Sequence, residues 1–280
     1  MRLDRPLQTT GARLDARTTG YQLTRMNSKL SVSTVAQFFD ETGDGDPLVA
    51  LHPGLVDARA FAPNIDAWSQ RFRVYTPERR GHGHTPDVGG PLTFSDMAAD
   101  TVEFIERVVG APSRLLGCSD GAIVALLTAA SRPDLVSRLI VIAGPAHHSG
   151  WYPGVIDGPA GAPAFMHSMY GELSPDGIDH YPTVLAKMAA EHLVAPTLTS
   201  QDLAGITCRT LVMVGDDDEV RLEHAIEMYR ALRYGELAVV PGTSHGLLVE
   251  KPELCNRLII EFLTEDPVET LAPLRRRVTT

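Results

Sequence analysis

Lysine is nearly absent. Only Lys29, Lys187 and Lys251 occur in 280 residues, and 25 Lys plus Arg against 35 Asp plus Glu give a formal net charge of −10. That balance excludes nucleic acid as the main partner, because a phosphate backbone needs a basic surface. Cysteine is scarce too. Cys118, Cys208 and Cys255 are odd in number and stand at no metal-ligand spacing, which argues against a disulfide framework and fits a reducing, cytoplasmic setting. No apolar run approaches the ~20 residues that span a bilayer, so no membrane partner is expected. Residues 1–25 mix Arg and Asp without an apolar stretch, unlike a secretory signal.

What remains is ordinary globular composition, 44% hydrophobic and 21% charged, in a chain long enough to bury a large core. Residues 1–30 lack periodicity and read as a loose N-terminal arm. From residue 31 short apolar strands alternate with helices. Strands are expected at 31–40, 48–51, 74–75, 139–143, 211–214 and 237–240. Helices are expected at 60–72, 95–109, 122–130, 219–232 and 252–264. This alternation implies an α/β fold, a mostly parallel central sheet with helices on both faces. Residues 145–205 break the rhythm, with no apolar strand and several Gly-Pro turns. They read as an insertion over the C-terminal edge of the sheet, where such folds bind ligands. The core is then 31–144 and 206–265, followed by a tail, 266–280.

Gly117-Cys118-Ser119-Asp120-Gly121 matches G-x-S-x-G, after a short strand and before an Ala/Leu-rich helix. That context is a strand–turn–helix elbow presenting the Ser119 hydroxyl at its apex. A serine hydroxyl needs an adjacent base held by a third group. In this chain order the acid follows the serine and the histidine comes last. His245, after the strand at 237–240, is the candidate base. The acid lies in Asp216-Asp217-Asp218, and spacing alone does not choose among the three. An oxyanion needs two N–H donors. One is the amide of Asp120; the other comes from His52-Pro53-Gly54-Leu55, with Leu55 favoured and Gly54 second. His52 reads as a brace for that loop.

Together with Arg80-Gly81-His82-Gly83-His84-Thr85, Gly215-x-x-Asp218 and Ser244-His245-Gly246, these motifs resemble the α/β-hydrolase superfamily over residues 31 to 264. The resemblance implies an α/β-hydrolase fold with a small cap at 145–205, and it selects Asp218 as the acid. Two departures are visible: Ala122 where a second Gly is usual, and Thr85 where Ser is common. The Ser-Asp-Gly elbow is most similar to the valacyclovir hydrolase (biphenyl hydrolase-like) group. There, the residue after the nucleophile is associated with an α-amino group on the ester, which would give the Asp120 side chain a substrate role. The alternative is that only its N–H matters.

In the insertion, Trp151, Phe165, Met169 and Tyr170 are candidates to line a substrate pocket, or to form the insertion's own core. His147 and His148 lack a carboxylate at metal-ligand spacing. The expected activity is serine hydrolysis of a small-molecule carboxylic ester or lactone, with no cofactor or metal, a possible preference for α-amino esters, and homo-oligomerisation left open. Alternatives are a carbon–carbon bond hydrolase of ring-cleavage products, a cofactor-free perhydrolase or haloperoxidase, and a non-catalytic ligand receptor. The resemblance places Asp at the nucleophile of dehalogenases and epoxide hydrolases, so Ser119 argues against both.

Overall fold

The computed structural model describes residues 28–32, 35–155 and 163–274. Eight strands form one sheet: β1 (Ser28–Val32), β2 (Val35–Thr42), β3 (Pro47–Leu51), β4 (Arg73–Pro77), β5 (Ser113–Cys118), β6 (Val136–Ile142), β7 (Arg209–Asp217) and β8 (Gly235–Ser244). Their order is β1-β2-β4-β3-β5-β6-β7-β8. β1 and β2 pair antiparallel, as do β2 and β4, and every other pairing is parallel. The α/β sheet expected from the alternating pattern is therefore present.

Both faces of the central strands are buried, as their unbroken apolar character requires. Val49, Leu51, Leu115, Val141, Val212 and Val214 point to one face, where α2 (Phe94–Phe104), α3 (Asp120–Ser131) and α7 (Leu222–Ala231) pack. Leu48, Ala50, Leu116, Ile140, Ile142 and Met213 point to the other, against α1 (Ile65–Ser69), α8 (Leu247–Glu250) and α9 (Pro252–Thr264).

Several expectations need correction. The strand expected at 31–40 is two strands, with Val32 paired to Val35. β1 begins inside the segment assigned to the arm; residues 1–27 and 275–280 lie outside the described residues. The helix expected at 60–72 is a single turn at Ala58–Phe61 and the short α1. Pro63 stands between them and has no N–H to carry a helical ladder through. The helix expected from 219 starts at Leu222, because Val220 forms a bridge with Trp151. β8 continues four residues past the expected end at 240, through Pro241 to Ser244.

Between β6 and β7 lie α4 (Ala164–Leu173), α5 (Tyr181–His192) and α6 (Ser200–Ala204). Tyr170, Tyr181, Val184, Met188 and Leu203 of this segment join the same apolar cluster as α2 and α3. The insertion thus shares the core of the sheet's first face. Polar contacts add to this. Asp87 accepts from Lys187 at 2.6 Å and lies 2.8 Å from the His180 ring nitrogen, while Glu191 accepts from the Phe94 amide at 2.9 Å.

Candidate active site

The elbow forms because its glycines leave no other room. A Cβ on Gly117 would run into the backbone of Gly121, and one on Gly121 into the carbonyl of Leu51. The first missing atom lets α3 approach β5, and the second lets it approach the end of β3. Ser119 sits at the apex with φ 54° and ψ −121°, a conformation costing about 1–3 kcal/mol for a residue with a Cβ. The surrounding structure holds it there. The Ser119 amide donates to Ile142 at 2.8 Å, and its carbonyl accepts from Ala122 at 2.8 Å.

The structure brings Ser119, His245 and Asp218 into one hydrogen-bonded line. Ser119 Oγ is 3.0 Å from His245 Nε2. His245 Nδ1 is 2.9 Å from Asp218 Oδ1. Asp218 is also held by its neighbours: Oδ2 accepts from the Gly215 amide at 3.0 Å and Oδ1 from Val220 at 3.1 Å. Of the other aspartates, Asp216 accepts from the Thr243 amide at 3.0 Å and so fixes the loop before His245, and Asp217 is exposed.

Burial of His245 disfavours its charge, but the hydrogen bond and charge of Asp218 outweigh that, helped by Glu219 and Asp120. Its pKa lies above 6.5. Burial likewise pushes Asp218 up, and the His245 contact with the two backbone donors more than reverses it, so its carboxyl is held below the usual 3.8. A carboxylate–imidazole pair shifted in these directions favours Nδ1–H toward Asp218 and leaves Nε2 toward Ser119.

The loop His52-Pro53-Gly54-Leu55 runs beside the elbow. Leu55 has φ 58°, a second left-handed residue with a side chain, and its amide donates to no backbone acceptor among the described residues. The Asp120 amide opens α3, where first-turn N–H groups lack intrahelical partners. His52 uses both ring nitrogens on backbone: Nε2 accepts from the Arg79 amide at 3.2 Å, so Nδ1 carries the proton and donates to Pro53 at 2.7 Å. The buried Arg79 guanidinium donates to the carbonyls of His52 and Pro53. Burial lowers its pKa to about 10.

The expected pocket residues separate. Trp151 is buried, with its ring 5.8 Å from His245. Phe165 is 55% exposed, an apolar ring in water rather than the wall of an enclosed pocket. Tyr170 packs on Tyr181 with centroids 5.5 Å apart, inside the insertion's share of the core. Met169 is half-buried on α4, and its carbonyl accepts from Arg59 at 2.9 Å. The Asp120 carboxylate, a candidate reader of substrate, is paired with His192 Nε2 at 2.7 Å.

His192 is the residue that sequence reasoning missed. Its signal was the i, i+4 spacing of Val184, Met188 and His192, which places the imidazole at the end of α5's buried face. Glu219 was also missed as a site group; its Oε2 is 3.7 Å from His245 Nε2. His147 and His148 stack on each other, and no group of three or more metal-ligating side chains occurs among the described residues. No helix there is long and apolar enough to cross a membrane.

The chain is similar to several known proteins. The chain is 26% identical over 259 residues to the human (Homo sapiens) serine hydrolase BPHL, covering 85% of this chain and 86% of that protein. It is 27% identical over 248 residues to the carboxylesterase YbfK of Bacillus subtilis (strain 168), covering 79% and 81%. Its fold is like that of the meta-cleavage product hydrolase CumD of Pseudomonas fluorescens IP01, with a TM-score of 0.70 at 16% identity, covering 84% and 97%. The sequence profile of the alpha/beta hydrolase family matches residues 48–258, three quarters of the chain, and the chain belongs to that family as a hydrolase.

Proposed function

We propose that the protein hydrolyses a small-molecule carboxylic ester or lactone through an acyl-enzyme on Ser119. The observation that carries this is the Ser119–His245–Asp218 line, with 3.0 and 2.9 Å between successive polar atoms. A carboxylesterase and a serine hydrolase among the sequence relatives support it.

In this reading His245 Nε2 takes the Ser119 proton as Oγ attacks the carbonyl carbon. Asp218 holds the Nδ1–H tautomer and stabilises the imidazolium. The amides of Leu55 and Asp120 receive the oxyanion, with the positive end of α3 adding to both. His245 then protonates the leaving group and activates water for deacylation. A preference for α-amino esters is the less supported form, because one Asp120 oxygen already accepts from His192 and the other lies against Gly54.

The test is hydrolysis of p-nitrophenyl butyrate with mass analysis of the protein after a fluorophosphonate probe. Turnover with a stoichiometric burst, and a single adduct on Ser119 that is absent from Ser119→Ala, is the expected result. A labelled serine without ester turnover, but with cleavage of a vinylogous diketone acid, would move the assignment to carbon–carbon hydrolysis.

A further inference from the structure

Asp120 follows the proposed nucleophile, and its carboxylate is only 3% exposed. Oδ1 accepts from His192 Nε2 at 2.7 Å. Oδ2 has no hydrogen-bond partner among the described residues. It lies against the loop that carries Leu55, since a Cβ on Gly54 would collide with it. A buried carboxylate one residue after the nucleophile is a place where a positive charge is strongly favoured.

The chain supplies that charge itself. The Arg79 guanidinium acts on Asp120 through space, without a hydrogen bond to it. His192 is the cation that touches it, and it reaches in from α5 of the insertion. Its ring lies between Phe94, 5.4 Å away, and Trp151, 6.3 Å away, both edge-on. Trp151 in turn lies 5.8 Å from the His245 ring. His192, Trp151 and His245 therefore form a continuous wall beside Ser119.

We infer that His192 sets the charge selectivity of the site, its own imidazolium filling the position beside Asp120 that an ammonium group on the acyl part of a substrate would take. The inference rests on the reading of Ser119 as the acylated nucleophile. Burial alone would discharge the ring, but the Asp120 charge and hydrogen bond, the Met188 carbonyl and the nearby Glu191 carboxylate hold its pKa above 6.5. With the position filled, a cationic acyl group meets a like charge, and the Asp120 carboxylate is already neutralised by His192. An uncharged acyl group meets neither penalty. His192 is thus a specificity-determining residue supplied by the insertion, and removing it opens an anionic subsite for small ammonium groups.

The test compares ethyl propionate with glycine ethyl ester, which differ by methyl against ammonium, at about pH 6, where both the ester's amine and His192 are charged. The quantity read is the kcat/KM ratio, glycyl over propionyl. It should rise at least tenfold in His192→Ala and return toward the wild-type value in His192→Ala/Asp120→Asn. His192→Asn, which keeps a donor near Asp120 without charge, should move the ratio in the same direction and serves if the alanine variant does not fold. A ratio that stays within threefold of wild type in a folded variant overturns the inference. The hydrolytic reading fails only if p-nitrophenyl butyrate is not cleaved either; whenever the wild type turns over neither ethyl ester, the selectivity is decided by binding. Glycine ethyl ester is then titrated calorimetrically into Ser119→Ala and Ser119→Ala/His192→Ala. Tenfold tighter binding by the double variant supports the inference, and equal binding sinks it.

Discussion

Asp217 on β7 pairs with Ser244 on β8, so the next residue on each strand, Asp218 and His245, leaves the sheet beside the other. The pairing follows a register shift between Gly215 and Asp217, and a Cβ on Gly215 would collide with the Thr243 carbonyl. Acid and base are therefore aligned by backbone, which makes their contact independent of any bound molecule. Replacing Asp218 by Asn leaves this register intact and removes the charge that favours the working tautomer. It should lower kcat by about 10⁴-fold, and Ser119→Ala by about 10⁶-fold, with little change in the folded spectrum. Asp217→Asn should stay within a few-fold of wild type. Steady-state hydrolysis of p-nitrophenyl butyrate by the three variants checks all of this.

The pH dependence of that reaction follows from the direction of the His245 shift. The base must be neutral to accept the Ser119 proton, and its pKa is raised above 6.5. Activity should therefore fall as pH drops through a value above 6.5. Asp218→Asn takes away the main cause of the raised pKa, so the residual activity should keep its acid limb at lower pH. A kcat/KM profile in which both proteins share one acid limb would falsify the assignment of that limb to His245.

Much of this site is legible in the sequence because each part is local to one strand end. The elbow needs only Gly117, Ser119 and Gly121 in a strand–helix context, and the loops at 215–218 and 241–246 announce themselves by glycine and acid after apolar runs. The departures from the usual family pattern also have local answers. Ala122 fits because Gly144 faces it, where a second Cβ would collide. Thr85 keeps a hydroxyl that donates to the Glu78 carbonyl and accepts from the Phe38 amide. What is not legible depends on docking between distant segments. His192 meets Asp120 across 72 residues, and periodicity says which face of α5 is buried without saying what it is buried against. The same gap leaves Phe165 and Tyr170 readable as pocket or as core. An aromatic in an insertion serves a core, a pocket or neither, according to packing that no spacing rule supplies.

Gly54 offers a test of how tightly the oxyanion loop is fitted to the elbow. Any side chain there points into the Asp120 carboxylate, which cannot retreat while held by His192. Gly54→Ala should cost about 1–3 kcal/mol in stability from the forced overlap, and kcat should fall at least tenfold as the Leu55 amide is displaced. The overlap disappears if residue 120 is small. In an Asp120→Ala background, Gly54→Ala should lower Tm by clearly less than it does in the wild type. Equal losses in the two backgrounds would mean that the clash lies elsewhere in the loop.

The Asp120–His192 pair should also leave a mark on stability as pH changes. The folded-state pKa of His192 is raised above 6.5, so its stabilisation is complete below 6.5 and is lost as pH rises through the folded value. Burial raises Asp120, but His192, Arg79 and His82 outweigh it and hold its pKa below 3.8. Its stabilisation is therefore complete above 3.8 and is lost as pH falls through the lower folded value. Both contributions are full only between 3.8 and 6.5. The double variant Asp120→Asn/His192→Gln keeps the polar atoms and discards both charges. The Tm of the wild type relative to this variant should be most favourable inside that window and should decline on its alkaline side. A buried ion pair often gains little net stability over a neutral pair of similar shape, so the sign of the difference at one pH is uninformative. Its slope with pH carries the prediction: thermal denaturation at half-unit steps from pH 5 to 9 should show the difference shrinking above 6.5; parallel Tm curves would mean that the His192 pKa does not shift on folding, and a difference that grows toward 6.5 would mean that His192 is uncharged in the folded protein.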